Sequence, residues 1–163
     1  MSFVVSPISV DHSESFHSCL DVVARERRYL AQTKVLPLEK VQEFVEASVA
    51  NDSVQFVALD GDCVVGWADI FPAWQDAISH RGSLGMGVLP NYRGQGIGET
   101  LLHACIEKAK LKGITCIELE TRDDNRPAIR LYEKFGFRRD CVKSHGMRFD
   151  SVYFATVQMS RIL

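Results

Sequence analysis

Residues 88–102 read VLPNYRGQGIGETLL, with glycine at 94, 96 and 98 between an extended apolar run that stops at Pro90 and a stretch with helical spacing. Alternate glycines strip one short turn of side chains. The next element is a helix N-terminus, whose orphan N–H groups carry a partial positive charge. Together these features suit an anion that comes up to the bare backbone. Arg93, immediately before the first glycine, adds a fixed positive charge. A Walker loop would close on Gly-Lys-Ser/Thr, whereas Gly98 is followed by Glu99 and Thr100, so the lysine for a terminal phosphate is missing. A GxGxxG dinucleotide fingerprint would need glycine at 99. Glu118 and Glu120 do lie near the ~20-residue distance at which that motif carries its acidic residue, so spacing alone does not decide against it.

The chain that positions this loop has 163 residues, the size of one domain, read here as 1–163. Its 46% hydrophobic and 25% charged composition is that of an ordinary globular protein, and no apolar run approaches the ~18 residues of a membrane span. The N-terminus MSFVVSPISVDHSES lacks the basic flank and apolar core of a secretory signal, which points to the cytosol. Five scattered cysteines without a CxxC pair argue against a disulfide framework and a zinc site, and most are expected to be small core residues. His80, His103 and His145 have no metal spacing, so no metal is expected. Residues 1–92 carry 6 basic against 12 acidic side chains, and residues 93–139 carry 10 against 7. The glycine loop therefore opens the positive part of the chain, a field that attracts a polyanion. Without a long basic run, nucleic acid is a poor candidate partner.

Periodicity supplies the elements. FVVSPISV reads as an opening strand, and His12 to Tyr29 as a helix with Asp11 or Ser13 as its cap. Leu38 to Ala50 repeats the helical pattern. SVQFVALDGDCVVGWADIF is a hairpin turning at Asp60-Gly61-Asp62, and GSLGMGVLP is a further extended run. Helix Thr100 to Leu111 stops at Gly113, strand ITCIELET comes after it, and a short helix runs from Pro127 to Phe135. Strands near Phe137 to Val142 and Tyr153 to Met159 close an α/β domain of mixed strand direction.

Arg93-Gly94-Gln95-Gly96-Ile97-Gly98 matches R/Q-x-x-G-x-G/A, the pyrophosphate loop of the GCN5-related N-acetyltransferase (GNAT) superfamily, and the chain resembles that family across residues 84–163. MGVLPNYRGQGIGETLL, IELETRDDNRPAIRLYEKFGF and DSVYFATVQMSRIL carry the likeness. The resemblance implies a mixed, mostly antiparallel sheet of six or seven strands with flanking helices and with strands 4 and 5 splayed. It also implies acceptor-side elements in about 1–80 and an acetyl-CoA-binding half in about 81–163. Acetyl-CoA would be the donor and a primary amine the acceptor. The N–H groups of Gly94, Gln95, Gly96, Ile97 and Gly98 would hold the pyrophosphate beside Arg93. Pantetheine would add as a strand along Met86, Gly87 and Val88, with an N–H near Val88 on the thioester oxygen. Gly85 and Gly87 are expected to mark a bulge or a close approach of another backbone.

In the family the tyrosine at the position of Tyr132 protonates the departing thiolate. Asn125 would bond the pantetheine amide or hold its helix, and Lys134 would reach the nucleotide phosphate. The run SLGMGVLP has no carboxylate where some relatives carry the general base. The candidates for that role are Glu120, Asp69 and Glu26, or a water chain. Glu26, Tyr29 and Asp69 would belong to the acceptor site, with Arg27 and Arg28 as ligands for a substrate carboxylate and Trp67, Phe71 and Trp74 as an apolar wall. RERRYLAQT is similar to members that acetylate free amino acids or related amines, phosphinothricin-type enzymes among them. The rival readings are a ribosomal-protein-type N-terminal acetyltransferase and a non-catalytic acetyl-CoA sensor. A homodimer is implied by analogy with relatives alone.

Overall fold

The computed structural model describes residues 2–163. Strand β1 (Val4–Pro7) leads through a 3-10 turn into helix α1 (Ser13–Arg25), and α2 is Leu38–Ala50. A hairpin of β2 (Val54–Asp60) and β3 (Cys63–Pro72) precedes β4 (Arg81–Val88), α3 (Ile97–Leu111) and β5 (Cys116–Arg122). Helix α4 (Arg126–Lys134) and the long hairpin β6 (Arg138–Phe149) and β7 (Val152–Ile162) complete the chain.

These elements form one seven-stranded sheet in the order β1-β2-β3-β4-β5-β7-β6. All neighbours are antiparallel except β4 and β5, which run parallel and pair only through Arg81–Ser83 and Cys116–Glu118. Beyond Ser83 the two strands part, as the family resemblance implies. The chelate of Arg81 on Glu118, at 2.7 to 3.1 Å, sits at the closed end of this gap.

Alternation along the strands feeds two cores. Val54, Ala58, Ala68 and Ile70 face α3, where Leu101, Leu102, Cys105 and Ala109 form the buried stripe. Val57, Val64 and Trp67 face the other way, onto Phe16, Cys19 and Val23 of α1 and Val41 and Val45 of α2. Among the described residues no helix is long and apolar enough to cross a membrane.

Several boundaries differ from expectation. Helix α1 ends at Arg25, because Arg27 takes a left-handed conformation at φ 52°. Its start is marked by Ser13, whose Oγ donates to the carbonyl of Val10 at 2.7 Å instead of capping. Helix α3 begins three residues early, with Ile97 already buried. Strands β6 and β7 run well past the expected limits, with register shifts at Arg139/Cys141 and Lys143/Met147. Of the cysteines, Cys19 and Cys105 are buried, but Cys63 and Cys141 are exposed, so the core assignment fails for those two.

Candidate active site

The glycine loop lines one end of a cleft of about 710 Å³ that runs from β4 past the start of α3 to α4. A 3-10 turn at Pro90–Tyr92 turns the chain out of the sheet, and Gly94 and Gly96 then adopt φ 73° and 85°. Regular helical bonding resumes where the Thr100 N–H donates to the Gly96 carbonyl at 3.1 Å. Among the described residues, the N–H groups of Gly94 through Glu99 donate to no acceptor. A Cβ added at Gly94 or Gly96 would meet nothing within 4 Å, so the space before these amides is open. Gly98 serves a different purpose. Its Cβ would lie 3.3 Å from Met86 Cε and 3.4 Å from Leu131 Cδ2, so this glycine draws α3 close to β4 and α4. The Gln95 side chain turns back to the Asn91 carbonyl at 3.1 Å and does not line the cleft; only its main chain belongs to the loop.

Register decides which groups of β4 face the gap. The Leu89 N–H donates to Val65 at 2.9 Å and the Ala73 N–H to Arg81 at 3.0 Å. In the continuous β3–β4 ladder this parity turns the main chain of Gly85 and Gly87 toward β3, and that of Met86 and Val88 away from it. Since β5 has already parted from β4, Met86 and Val88 have no strand partner. Arg93 Nε donates to the Val88 carbonyl at 2.9 Å, which leaves the Val88 N–H and both polar groups of Met86 available. The expected bulge at Gly85 and Gly87 is absent. Instead a Cβ on Gly87 would strike the Trp67 indole, within 2.7 Å of Cζ3 and 2.9 Å of Cζ2, so this glycine makes room for a buried aromatic ring.

Arg93 is not a free surface cation. Its guanidinium chelates Glu26 at 2.9 and 2.5 Å and stacks over the Tyr29 ring at 4.7 Å. Glu26 and Tyr29 therefore brace the glycine loop, and Tyr29 lines its cleft; neither of the two expected acceptor residues lines the second cavity, on the α1–α2 side of the sheet. Arg27 pairs with Asp150 at 2.8 Å and Arg28 lies over Tyr29 at 5.5 Å, so both have partners within the chain.

Helix α4 presents Tyr132 to the same cleft, its ring packed 5.8 Å from Phe137. The side chain is 7% exposed, and burial pushes the phenol up to about 12, so it stays protonated at neutral pH. Its hydroxyl has no hydrogen-bond partner among the described residues, which leaves the proton available to a group in the cleft. Asn125 lines the cleft at the start of α4; its amide reaches Thr121 Oγ1 at 3.3 Å and does not cap the helix. Lys134 lies outside the lining, paired at 2.7 Å with Glu99. Glu120 also stands apart. It accepts from Thr156 Oγ1 at 2.6 Å and Lys143 Nζ at 2.7 Å, and these two donors, outweighing its desolvation, hold the carboxyl below its ordinary range. A carboxylate so satisfied is a weak base, and neither cavity includes it.

The second cavity, about 410 Å³, opens between the sheet and helices α1 and α2 and shares Met86 with the first. Phe16, Leu20, Val41, Phe44, Trp67 and Phe71 give it apolar walls, and Asp69 provides its one carboxyl. Desolvation pushes Asp69 up to about 7, opposed only in part by the main-chain N–H of Gly85. Trp74, expected on this wall, is 86% exposed and lies elsewhere. Trp67, Phe71 and Asp69, expected together on the acceptor side, do line this cavity, whereas the walls from α1, the loop after it and α2 carry no local mark in the residue pattern. Among the described residues no cluster of His, Cys, Asp and Glu could hold a metal ion.

A parted parallel strand pair beside a glycine turn at a helix N-terminus makes a cleft suited to an anion with an extended arm. Residues 17–137 match the acetyltransferase (GNAT) family, and the chain belongs to it. It is 38% identical over 85 residues to N-alpha-acetyltransferase 30 of Schizosaccharomyces pombe, a match covering 52% of this chain and 57% of that one. The chain spans less than two thirds of the length of that curated relative. Its fold is that of a GNAT-family acetyltransferase from Streptococcus pneumoniae, with a TM-score of 0.92 at 19% identity, covering 99% of this chain and 100% of the other. A phosphinothricin acetyltransferase from Sinorhizobium meliloti, solved in complex with AcCoA, superposes at a TM-score of 0.90 with 17% identity, covering 100% and 89%.

Proposed function

We propose that the protein transfers an acetyl group from acetyl-CoA to the primary amine of a small molecule by direct attack in a ternary complex. The observation that carries this reading is the run of unpartnered N–H groups from Gly94 to Glu99, which shares one cleft with the free edge of Met86 and Val88. The donor set fits a diphosphate followed by an extended amide-bearing arm: amides at a helix start for the anion, then a strand edge for the arm. Bound acetyl-CoA supplies the activated acyl group.

The chain's residues do the rest. The Val88 N–H donates to the thioester oxygen as charge builds there on attack, when such a donor matters most. Tyr132 gives its proton to the sulfur as the C–N bond forms and the C–S bond breaks. The nitrogen loses one proton to a base, so the products are an amide and a free thiol, and the tyrosine recovers its proton from solvent.

The similarity to an N-alpha-acetyltransferase favours a second reading, in which the acceptor is a protein N-terminus. The walled cavity favours the first. Calorimetric titration with acetyl-CoA, followed by thiol-release assays over amines, amino acids, polyamines and short peptides, tests both. Failure to bind acetyl-CoA refutes the family activity, binding without turnover on the whole panel supports a sensor, and turnover of peptides alone supports the second reading.

A further inference from the structure

We propose that the 410 Å³ cavity is the acceptor pocket, that it takes a primary amine carried on an apolar, ring-sized body, and that Asp69 receives the proton this amine loses on attack. The inference rests on the acetyl-transfer reading and adds the acceptor class and the base.

The walls argue for the body. Phe16, Phe44, Trp67 and Phe71 come from α1, α2 and β3, and Leu20 and Val41 fill the spaces between them. The only lining cation is Lys40, which is already paired with Glu43 at 2.9 Å on its own helix. That pair is exposed, so the pocket offers no buried positive group to a substrate carboxylate, and one carboxyl only to a polyamine.

Position argues for Asp69 as the base. It pairs across the sheet with Gly85, the residue before Met86, and Met86 is where the two cavities meet. A Cβ at Gly85 would lie 3.1 Å from Asp69 Oδ1, so the glycine leaves the carboxyl room beside the strand edge. On its other side Asp69 pairs with Gln55, which is 1% exposed and whose amide oxygen and nitrogen both lack partners; the buried Ser48 Oγ of α2 is unpartnered too. Gln55 and Ser48 line neither cavity, and orphaned polar groups of this kind call for buried water beside the carboxyl. Other ionisable groups on the packed elements are few. Lys40 faces the cavity from α2, and Cys105 of α3 is held neutral by burial. In the step itself, the amine nitrogen bonds to the acyl carbon, one N–H proton passes to Asp69, and Tyr132 protonates the departing sulfur.

The test measures thiol release by the full chain with acetyl-CoA against 2-phenylethylamine, isoamylamine, phenylalanine, spermidine and a short peptide. The expected kcat/KM for the two apolar amines exceeds the others by at least an order of magnitude, because an unpaired buried carboxylate or second ammonium is costly. Asp69→Asn is expected to lose on the order of 100-fold in kcat/KM. It should also lose the rising limb of the pH profile near pH 7, with acetyl-CoA affinity unchanged. Asp69→Glu should restore part of the rate and the limb. Preference for amino acids, polyamines or peptides overturns the acceptor class, and an Asn variant that keeps the rising limb overturns the base. A parent that binds no acetyl-CoA, or turns over no acceptor, refutes the transferase reading beneath them both.

Discussion

Replacing Gly96 with alanine separates two reasons for a glycine. The residue sits at φ 85° with open space where a Cβ would go, so the protein itself objects only through backbone conformation. An L-residue in the left-handed region costs about 1–2 kcal/mol. For a domain of this size that lowers Tm by roughly 2–8 °C. Gly113, after α3, provides the matched control, since it also has open space and a φ of 77° but lies outside the cleft. Gly113→Ala should melt lower by a similar margin and bind CoA normally. Gly96→Ala should melt lower and also weaken CoA, because the new methyl stands before the amides that would hold the diphosphate. Loss of one charge-assisted hydrogen bond, about 1.5–3 kcal/mol, corresponds to a Kd roughly 10- to 100-fold higher. Scanning calorimetry gives the first quantity and titration calorimetry with CoA the second. Equal CoA affinity in the two variants would refute the assignment of the loop.

Tyr132→Phe should keep acetyl-CoA affinity and lose about 10²- to 10⁴-fold in kcat, measured by thiol release, if its hydroxyl delivers the proton. Asp69 has a folded-state pKa raised to about 7, so its contribution to stability is fully present below its ordinary value and is lost as pH rises to about 7. Asp69→Asn should accordingly melt higher than the parent at pH 8, by on the order of 2–4 kcal/mol, with the margin shrinking as pH falls from 7 toward 4. Denaturant melts across that range check the sign. Gly87→Ala forces a methyl into the Trp67 ring, which is 4% exposed, and should destabilise by about 1–3 kcal/mol with a shift in tryptophan emission.

Local signals locate most elements and the glycine turn of the candidate cleft. Helix α2 coincides with its periodic stretch because a proline precedes it and its buried residues repeat at helical spacing. The turn at Gly94 and Gly96 is legible because positive φ leaves a residue-type mark. The rest depends on partners distant in sequence. Arg93 and Glu26 are 67 positions apart, and nothing in RERRYL foretells the left-handed Arg27 that turns the chain after α1 toward Asp150. Glu120 looks like a free carboxylate until β6 and β7 bring Lys143 and Thr156 to it. Asp69 stands in the sequence as one of three candidate carboxylates, and only the closing of α1 and α2 over it sets it apart from Glu26 and Glu120. Gly87 reads in sequence as room for an incoming ligand, but its reason is the Trp67 indole on the neighbouring strand.

The parted pair β4 and β5 bears on how such a protein changes over time. Recognition along Met86 and Val88, as proposed, would use peptide groups, which every residue except proline possesses, so this edge would read conformation and ignore side-chain identity. Substitutions among the α1, α2 and β3 side chains of the second cavity would thus redraw an amine pocket there without touching these peptide groups, whereas Gly85 and Gly87 on that face of β4 have no room for a side chain. One ribbon of backbone would keep the common substrate while the side chains of its neighbours explore new ones.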